Sequence, residues 1–337
     1  MDVSNIVLSA RKRLQTAAFT VVSVFSVLRS ILVWMELHLK LVEQYEGGRY
    51  IPESASTTKL NYASSIQLTF SSALLILSLV SFVPQYRRIL SRGDSSGISI
   101  QYILFNAIVA TEQFAFGLHF IVDNAEIGDT IVASPPTAGD WLNFLQFTVV
   151  CVCYLGLFIL CFYYPSEQAG EKRTALTIYI TFFLISVVPV IVESALPARR
   201  DDFEQDRRWF SAMFSGVHMI FVHPIVTLLG FASLFAQARE TLSRSSPGAL
   251  SPLGLAAQAV IFAAVALYWP FRMTIPEEFW RMSPWNRLVA WYQLVGWATV
   301  DNTIFALVQA ILFWIATRRT GDNLGLTSDE TAPLLHS

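Results

Sequence analysis

The sequence predicts an all-α integral membrane protein with seven spans in a three, one, three order, preceded by an additional N-terminal helix. Three observations carry that prediction. The 337 residues are 54% hydrophobic and only 14% charged, with a mean hydropathy of +0.49, where soluble domains run nearer a quarter charged. The apolar runs reach about 20 residues, enough to cross a bilayer as a helix, and only helices or closed barrels satisfy their backbone in lipid. One stretch of the chain also recurs, in degraded form, 152 positions further on. The net charge of −2 offers no basis for binding nucleic acid.

Residues 15–36 form an apolar stretch behind Arg11-Lys12-Arg13. Arg29 inside it would cost ~2.5–3.5 kcal/mol at the bilayer centre, so the stretch is read as an extra span or as an interfacial helix. Its length, its arginine and the lack of a small-residue cleavage site argue against a signal peptide. Residues 40–60, with Gly47-Gly48 and Pro52, are a polar connector. Seven spans follow at 63–90, 98–122, 141–163, 174–195, 213–240, 252–271 and 287–316. Gly93 and Ser95-Ser96-Gly97 mark the loop after the first, and Pro135-Pro136 with Gly139 break the chain ahead of the third. Pro165 ends the third, because the residue before a proline avoids the helical region. Ser245-Ser246-Pro247-Gly248 is the turn after the fifth. A polar, disordered tail is expected after Arg319. The domains therefore read as an N-terminal segment (1–60), a first three-helix bundle (61–165), a linker helix and loop (166–210), a second three-helix bundle (211–318) and the tail (319–337).

Loop charge sets the orientation. Loop 86–97 holds three arginines, whereas loop 123–140 has four acids and no basic residue. Arg199-Arg200 and Arg207-Arg208 in loop 196–210 argue the other way, softened by four acids there. The loop after the first span and the C-terminus are placed in the cytosol. Cys151, Cys153 and Cys161 share one span with no second cluster, which speaks against a disulfide framework or zinc site.

The first span ends Ser81-Phe82-Val83-Pro84-Gln85-Tyr86-Arg87-Arg88, followed by Ser95-Ser96-Gly97-Ile98-Ser99. Pro84 lacks a backbone N–H and clashes with the carbonyl of Val80, so a bend is expected there. Shifting the chain by 152 aligns Gln85 with Gln237, Arg87 with Arg239, Leu90-Ser91-Arg92 with Leu242-Ser243-Arg244, Ser99 with Ser251 and Asn106 with Gln258. Two like-oriented triplets need an odd number of spans between them, and span 174–195 supplies it. The result is a 3+1+3 bundle with parallel repeats about an axis along the membrane normal.

These residues resemble the PQ-loop family, relatives of cystinosin and the SWEET sugar transporters. The first motif is Pro84-Gln85 with Ser95–Ser99; the second, Ala236-Gln237 with Ser246–Ser251, is degenerate and lacks the proline. The resemblance spans most of 63–316. It implies an alternating-access carrier of small polar solutes, often proton-coupled and often on lysosomes or vacuoles. Pro84, Gln85 and Gln237 are then the hinge candidates.

Asp301 is read near the middle of the last span, where a carboxylate must face the bundle interior or a wet cavity. Asp301, Phe305 and Gln309 share one face. Glu112 is the second intramembrane acid, and its repeat mate is Ala264. These two acids are the candidates for proton or substrate coupling; in cystinosin-like members an acid of the second repeat is tied to that role. Either could instead bond neighbouring helices. Asn106, Gln258, Asn302, Gln309, Trp297 and Gln146 are the substrate-binding candidates, with Asn143 weaker. His119 is read as interfacial. His218 and His223, five residues apart, do not share an α-helical face, which argues against a metal site.

The tail carries Glu330 and Leu334-Leu335, which resemble an acidic dileucine sorting signal read by a cytosolic adaptor. The expected function is a vacuolar or lysosomal carrier of a small polar solute, most simply an amino acid, with protons as co-substrate and no cofactor. The alternatives are a sugar carrier, or a non-transporting receptor such as the KDEL receptor of the same clan. No nucleophile motif or phosphate loop points to an enzyme.

Overall fold

Serine and threonine caps set where several helices begin. The computed structural model describes residues 55–122, 132–133, 136–166, 169–195, 201–244, 248–272 and 280–330. The 15–36 stretch, Leu334 and Leu335 lie outside the described residues. Helix α1 spans Ala55–Arg92 and passes through Pro84 without a break in helical assignment. Helix α2 (Ile100–Val122) is capped by Ser99, whose Oγ accepts from Tyr102 N. Helix α3 (Ala138–Tyr163) starts in a reciprocal capping box between Thr137 and Asp140. The fourth span is α4 (Ala169–Ser186) continued by α5 (Val188–Ala195). The fifth joins α6 (Asp201–Val217) to α7 (His223–Leu242) through a π-turn at His218–Val222. Helix α8 (Pro252–Tyr268) is capped by Ser251, whose Oγ accepts from Gly254 N, and ends in a 3₁₀ turn at Trp269–Arg272. Short α9 (Pro284–Trp291) passes through a second π-turn, Tyr292–Gly296, into α10 (Trp297–Glu330).

Among the described residues, seven helices are long and apolar enough to cross a membrane: Leu68–Arg92, Ile100–Val122, Ala138–Tyr163, Gly170–Ala195, Arg208–Leu242, Pro252–Arg272 and Trp297–Arg318. Each falls on a span expected from sequence. Two boundaries differ. The last apolar stretch begins at Trp297 rather than 287, so Asp301 sits one turn from its start instead of midway. The helix also runs on to Glu330, past the expected end of order at Arg319. The next helix-breaking proline, Pro333, comes only after that point.

Packing repeats with the sequence. In the first half α3 packs against both α1 and α2; in the second, α10 packs against both α7 and α8. The halves meet along two seams, α1 with α8 and α2 with α7. Exchanging the halves turns one seam into the other, as a pseudo-twofold axis requires. The fourth span lies outside this arrangement, with α4 and α5 both against α2. Small residues let helices approach in membranes: a Cβ on Gly230 of α7 would come within 3.2 Å of Ile304 on α10. Buried apolar side chains of all the spans join in two clusters. The larger holds Phe82, Tyr154, Phe262 and Phe305, and the smaller Phe116, Phe147, Trp269 and Trp297.

Candidate functional site

The end that carries Arg87, Arg88 and Arg92 is closed by two glutamines, one from each half. Gln85 Nε2 donates to Ala249 O at 2.9 Å, and its Oε1 accepts from Ser251 N at 2.8 Å. Gln237 Nε2 donates to Gly97 O at 2.8 Å, and its Oε1 accepts from Ser99 N at 2.9 Å. Each position in one set is its counterpart plus 152, so the sequence repeat reappears as a pair of exchanged bidentate bonds. A primary amide suits this task because it carries a donor and an acceptor side by side. The loops also touch directly. Ala249 N donates to Ser96 O at 2.7 Å, and Arg88 Nε donates to Gly248 O at 3.0 Å. Gly248 has φ +57°, and a Cβ there would collide with Ser96 O. Only glycine meets both demands at low cost.

Deeper in, the axis is filled by a closed ring of four buried aromatics. Phe82 packs edge-on to Tyr154 and Phe262, Tyr154 stacks on Phe305, and Phe305 packs on Phe262. Beside it, Tyr102 donates to Gln309 Oε1 at 2.8 Å and Gln309 Nε2 donates to Tyr154 Oη at 3.2 Å. This belt joins α2, α10 and α3. Asn106 donates to Tyr102 O, and its Oδ1 is buried with no hydrogen-bond partner among the described residues. Gln258 is buried on α8.

Toward the opposite end lie the acids. Thr227 of α7 donates to Asp301 Oδ1 at 2.8 Å and is 3.1 Å from the Tyr292 hydroxyl, which reaches in from the second π-turn. Asn302 turns back to donate to Ala298 O. Glu112 lies midway along the second span and is fully buried. Its Oε1 is 2.6 Å from His218 Nδ1 and 3.2 Å from His223 Nε2, the second contact lying off the line of a hydrogen bond. Trp297 packs tilted against His223 and edge-on to Phe116. Gln146 of α3 donates to Ser78 of α1 at 2.7 Å, and Asn143 accepts from Arg272.

The model of the PQ-loop repeat family matches residues 66–120. The chain carries a PQ-loop repeat. Its matched part contains Pro84, Gln85 and Glu112, and the chain is an integral membrane protein. No curated protein and no solved structure matched in the other two comparisons.

With the PQ-loop geometry in view, the expected site residues sort by level. Gln85 and Gln237 sit at the loop clasp, and Pro84 is one residue away within unbroken helix. Gln309, Asn106 and Gln258 lie in the first third of their spans from that end or in the belt beside the aromatic ring. Asp301, Asn302, Trp297 and Gln146 lie toward the other end. The structure therefore does not gather the polar candidates at one level. It also brings in residues that the sequence reading set aside. His218 and His223 do share a face, because the π-turn between them adds the residue that α-helical spacing lacks. His119, read as interfacial, is buried three residues from the end of its span, with Nε2 2.7 Å from Ser215 Oγ. Pro224 was the available signal for the first. It lacks an N–H for the carbonyl of Ile220, and His223 N–H bonds His218 O across the wider turn.

Proposed function

We propose that the chain is an alternating-access carrier that moves a small polar solute, an amino acid first among candidates, across a vacuolar or lysosomal membrane and couples that movement to protons. The observation that carries this reading is the exchanged glutamine clasp. Two three-helix bundles of like build meet on two seams, and the bonds closing one end are few, polar and reversible. A rocking motion would break four hydrogen bonds to side-chain amides there while leaving each bundle intact. Pro84 beside the clasp would let the end of α1 tilt, because the carbonyl of Val80 lacks its usual helical donor.

The interior suits a polar passenger. Asp301 and Glu112 are buried carboxylates, expensive to hold in a membrane without a purpose. Asp301 is reached by a chain of hydroxyls, Tyr292 to Thr227, that begins at the end opposite the arginines. Asn106, Gln258, Asn302, Gln309, Trp297 and Gln146 are proposed to hold the solute at successive stages rather than in one pocket. The address rests on Glu330 and Leu334-Leu335, which fit an adaptor-read signal once the C-terminus is cytosolic.

The test is uptake into proteoliposomes of purified protein. Labelled arginine, lysine, cystine and glucose are offered with and without an imposed pH gradient, against the Asp301→Asn variant. Proton-driven flux of one solute, reduced at least tenfold in the variant, is the expected result. Absence of flux from folded protein across the panel would sink the carrier reading in favour of a receptor.

A further inference from the structure

Glu112, His218 and His223 converge on the seam where α2 of the first half meets the α6–α7 span of the second. They are 0%, 2% and 2% exposed. In a regular α-helix, residues five apart point well away from each other. The π-turn, with its i to i−5 bond from His223 N–H to His218 O, returns them to one side. Both imidazoles thereby come close to a single carboxylate oxygen, His218 in hydrogen-bond geometry at 2.6 Å and His223 at 3.2 Å off that line.

The charge count of this cluster is informative. With Glu112 ionised and one imidazole protonated, it is neutral, the form a buried group favours. A second proton leaves it at +1, and loss of the first leaves it at −1. Among the described residues, Glu112 Oε2 and both ring nitrogens of His223 have no hydrogen-bond partner, so the cluster holds unused sites at which a proton can sit. The titratable groups around it come from every neighbouring element. Asp301 on α10 interacts electrostatically with both Glu112 and His223, and Glu193 is buried on α5, which packs against α2. His119 lies along α2, with the Phe214 ring between it and His218. On α2 next to Glu112, the Thr111 hydroxyl is 2.9 Å from the Tyr179 hydroxyl of α4 and 3.6 Å from Cys151 Sγ of α3.

We propose that Glu112, His218 and His223 form a proton-binding site on the seam between the two halves, loaded and unloaded as a unit and separate from the Asp301–Thr227 pair. Because its members belong to opposite halves, its proton count sets how strongly that seam holds. Its part in coupling rests on the carrier reading; its binding of protons does not.

The experiment uses the full chain in lipid nanodiscs, with ¹⁵N-labelled histidine. The five imidazoles, His38, His119, His218, His223 and His336, are assigned by single substitution and followed from pH 4 to 9. The expected result is a linked titration of His218 and His223. Glu112→Gln, which keeps an acceptor oxygen, displaces both midpoints by tenfold or more in proton concentration and leaves His336 unmoved. His218→Gln provides a second route should that variant not fold, shifting His223 by threefold or more. Midpoints that ignore both substitutions, or two imidazoles that stay unchanged across the whole range, overturn the proposal. In proteoliposomes that take up lysine, His218→Gln with His223→Gln is expected to lose acceleration by the pH gradient while retaining exchange without one. If wild-type protein carries no solute, only the carrier reading falls and the titration still decides the proton site.

Discussion

Gln85 and Gln237 show how much one side chain can organise. Each satisfies a loop carbonyl and a helix-start N–H of the other half, groups that would otherwise be buried without partners. Leaving such a group unsatisfied costs roughly 1–3 kcal/mol. Gln85→Ala and Gln237→Ala are each expected to lower stability by about that amount, read as a drop in the thermal unfolding midpoint in detergent. The contribution of these residues was legible as a repeated polar position, but its nature was not. Sequence comparison pairs Gln85 with Gln237, whereas the structure joins each to the partner's loop. A bond between non-equivalent positions leaves no trace in an alignment of equivalent ones. Asp301, Phe305 and Gln309 were readable as one buried face, and all three are buried. The histidines were read onto different faces because a 3.6-residue period was assumed for the whole fifth span, although Pro224 marks where that period fails.

At the scale of elements, the two π-turns among the described residues both lie in the second half, at His218–Val222 and Tyr292–Gly296. Extra residues inside a helix redirect one face and are often kept for function. The second turn depends on space. A Cβ on Gly296 would fall on the Trp291 ring, which packs against it one turn back. Gly296→Ala is therefore expected to destabilise by about 1–3 kcal/mol, the usual cost of overpacking. Trp291→Leu in the same background should restore much of the loss, since it removes the obstructing ring. A Gly296→Ala protein as stable as wild type by unfolding in detergent would contradict this account. Span positions were clear from hydropathy, yet the turns were hidden because an apolar run reads the same with or without one inserted residue.

The molecule as a whole is a bundle whose halves hold each other at the arginine end through loops that lie within a hydrogen bond of contact. Ser96→Cys with Ala249→Cys should form a disulfide there, since the two residues share a backbone hydrogen bond and the native cysteines, buried within α3, do not compete. Oxidation is expected to stop uptake and reductant to restore it, measured on the same vesicles; unchanged flux when cross-linked would mean that this end need not open. The triplet architecture was visible from the 152-residue offset, and the fourth span's packing chiefly on α2 of the first half fits its place as connector. A further consequence lies in the covalent joining of two near-equivalent units. Two identical chains around a true dyad must present every acidic group twice, so any ion bound off the axis binds in pairs. Once the units share one polypeptide, that parity is lifted: Glu112 stands opposite Ala264, and Asn106 opposite Gln258. A fused pair can hold a single charge off its axis, and its stoichiometry is free to be odd.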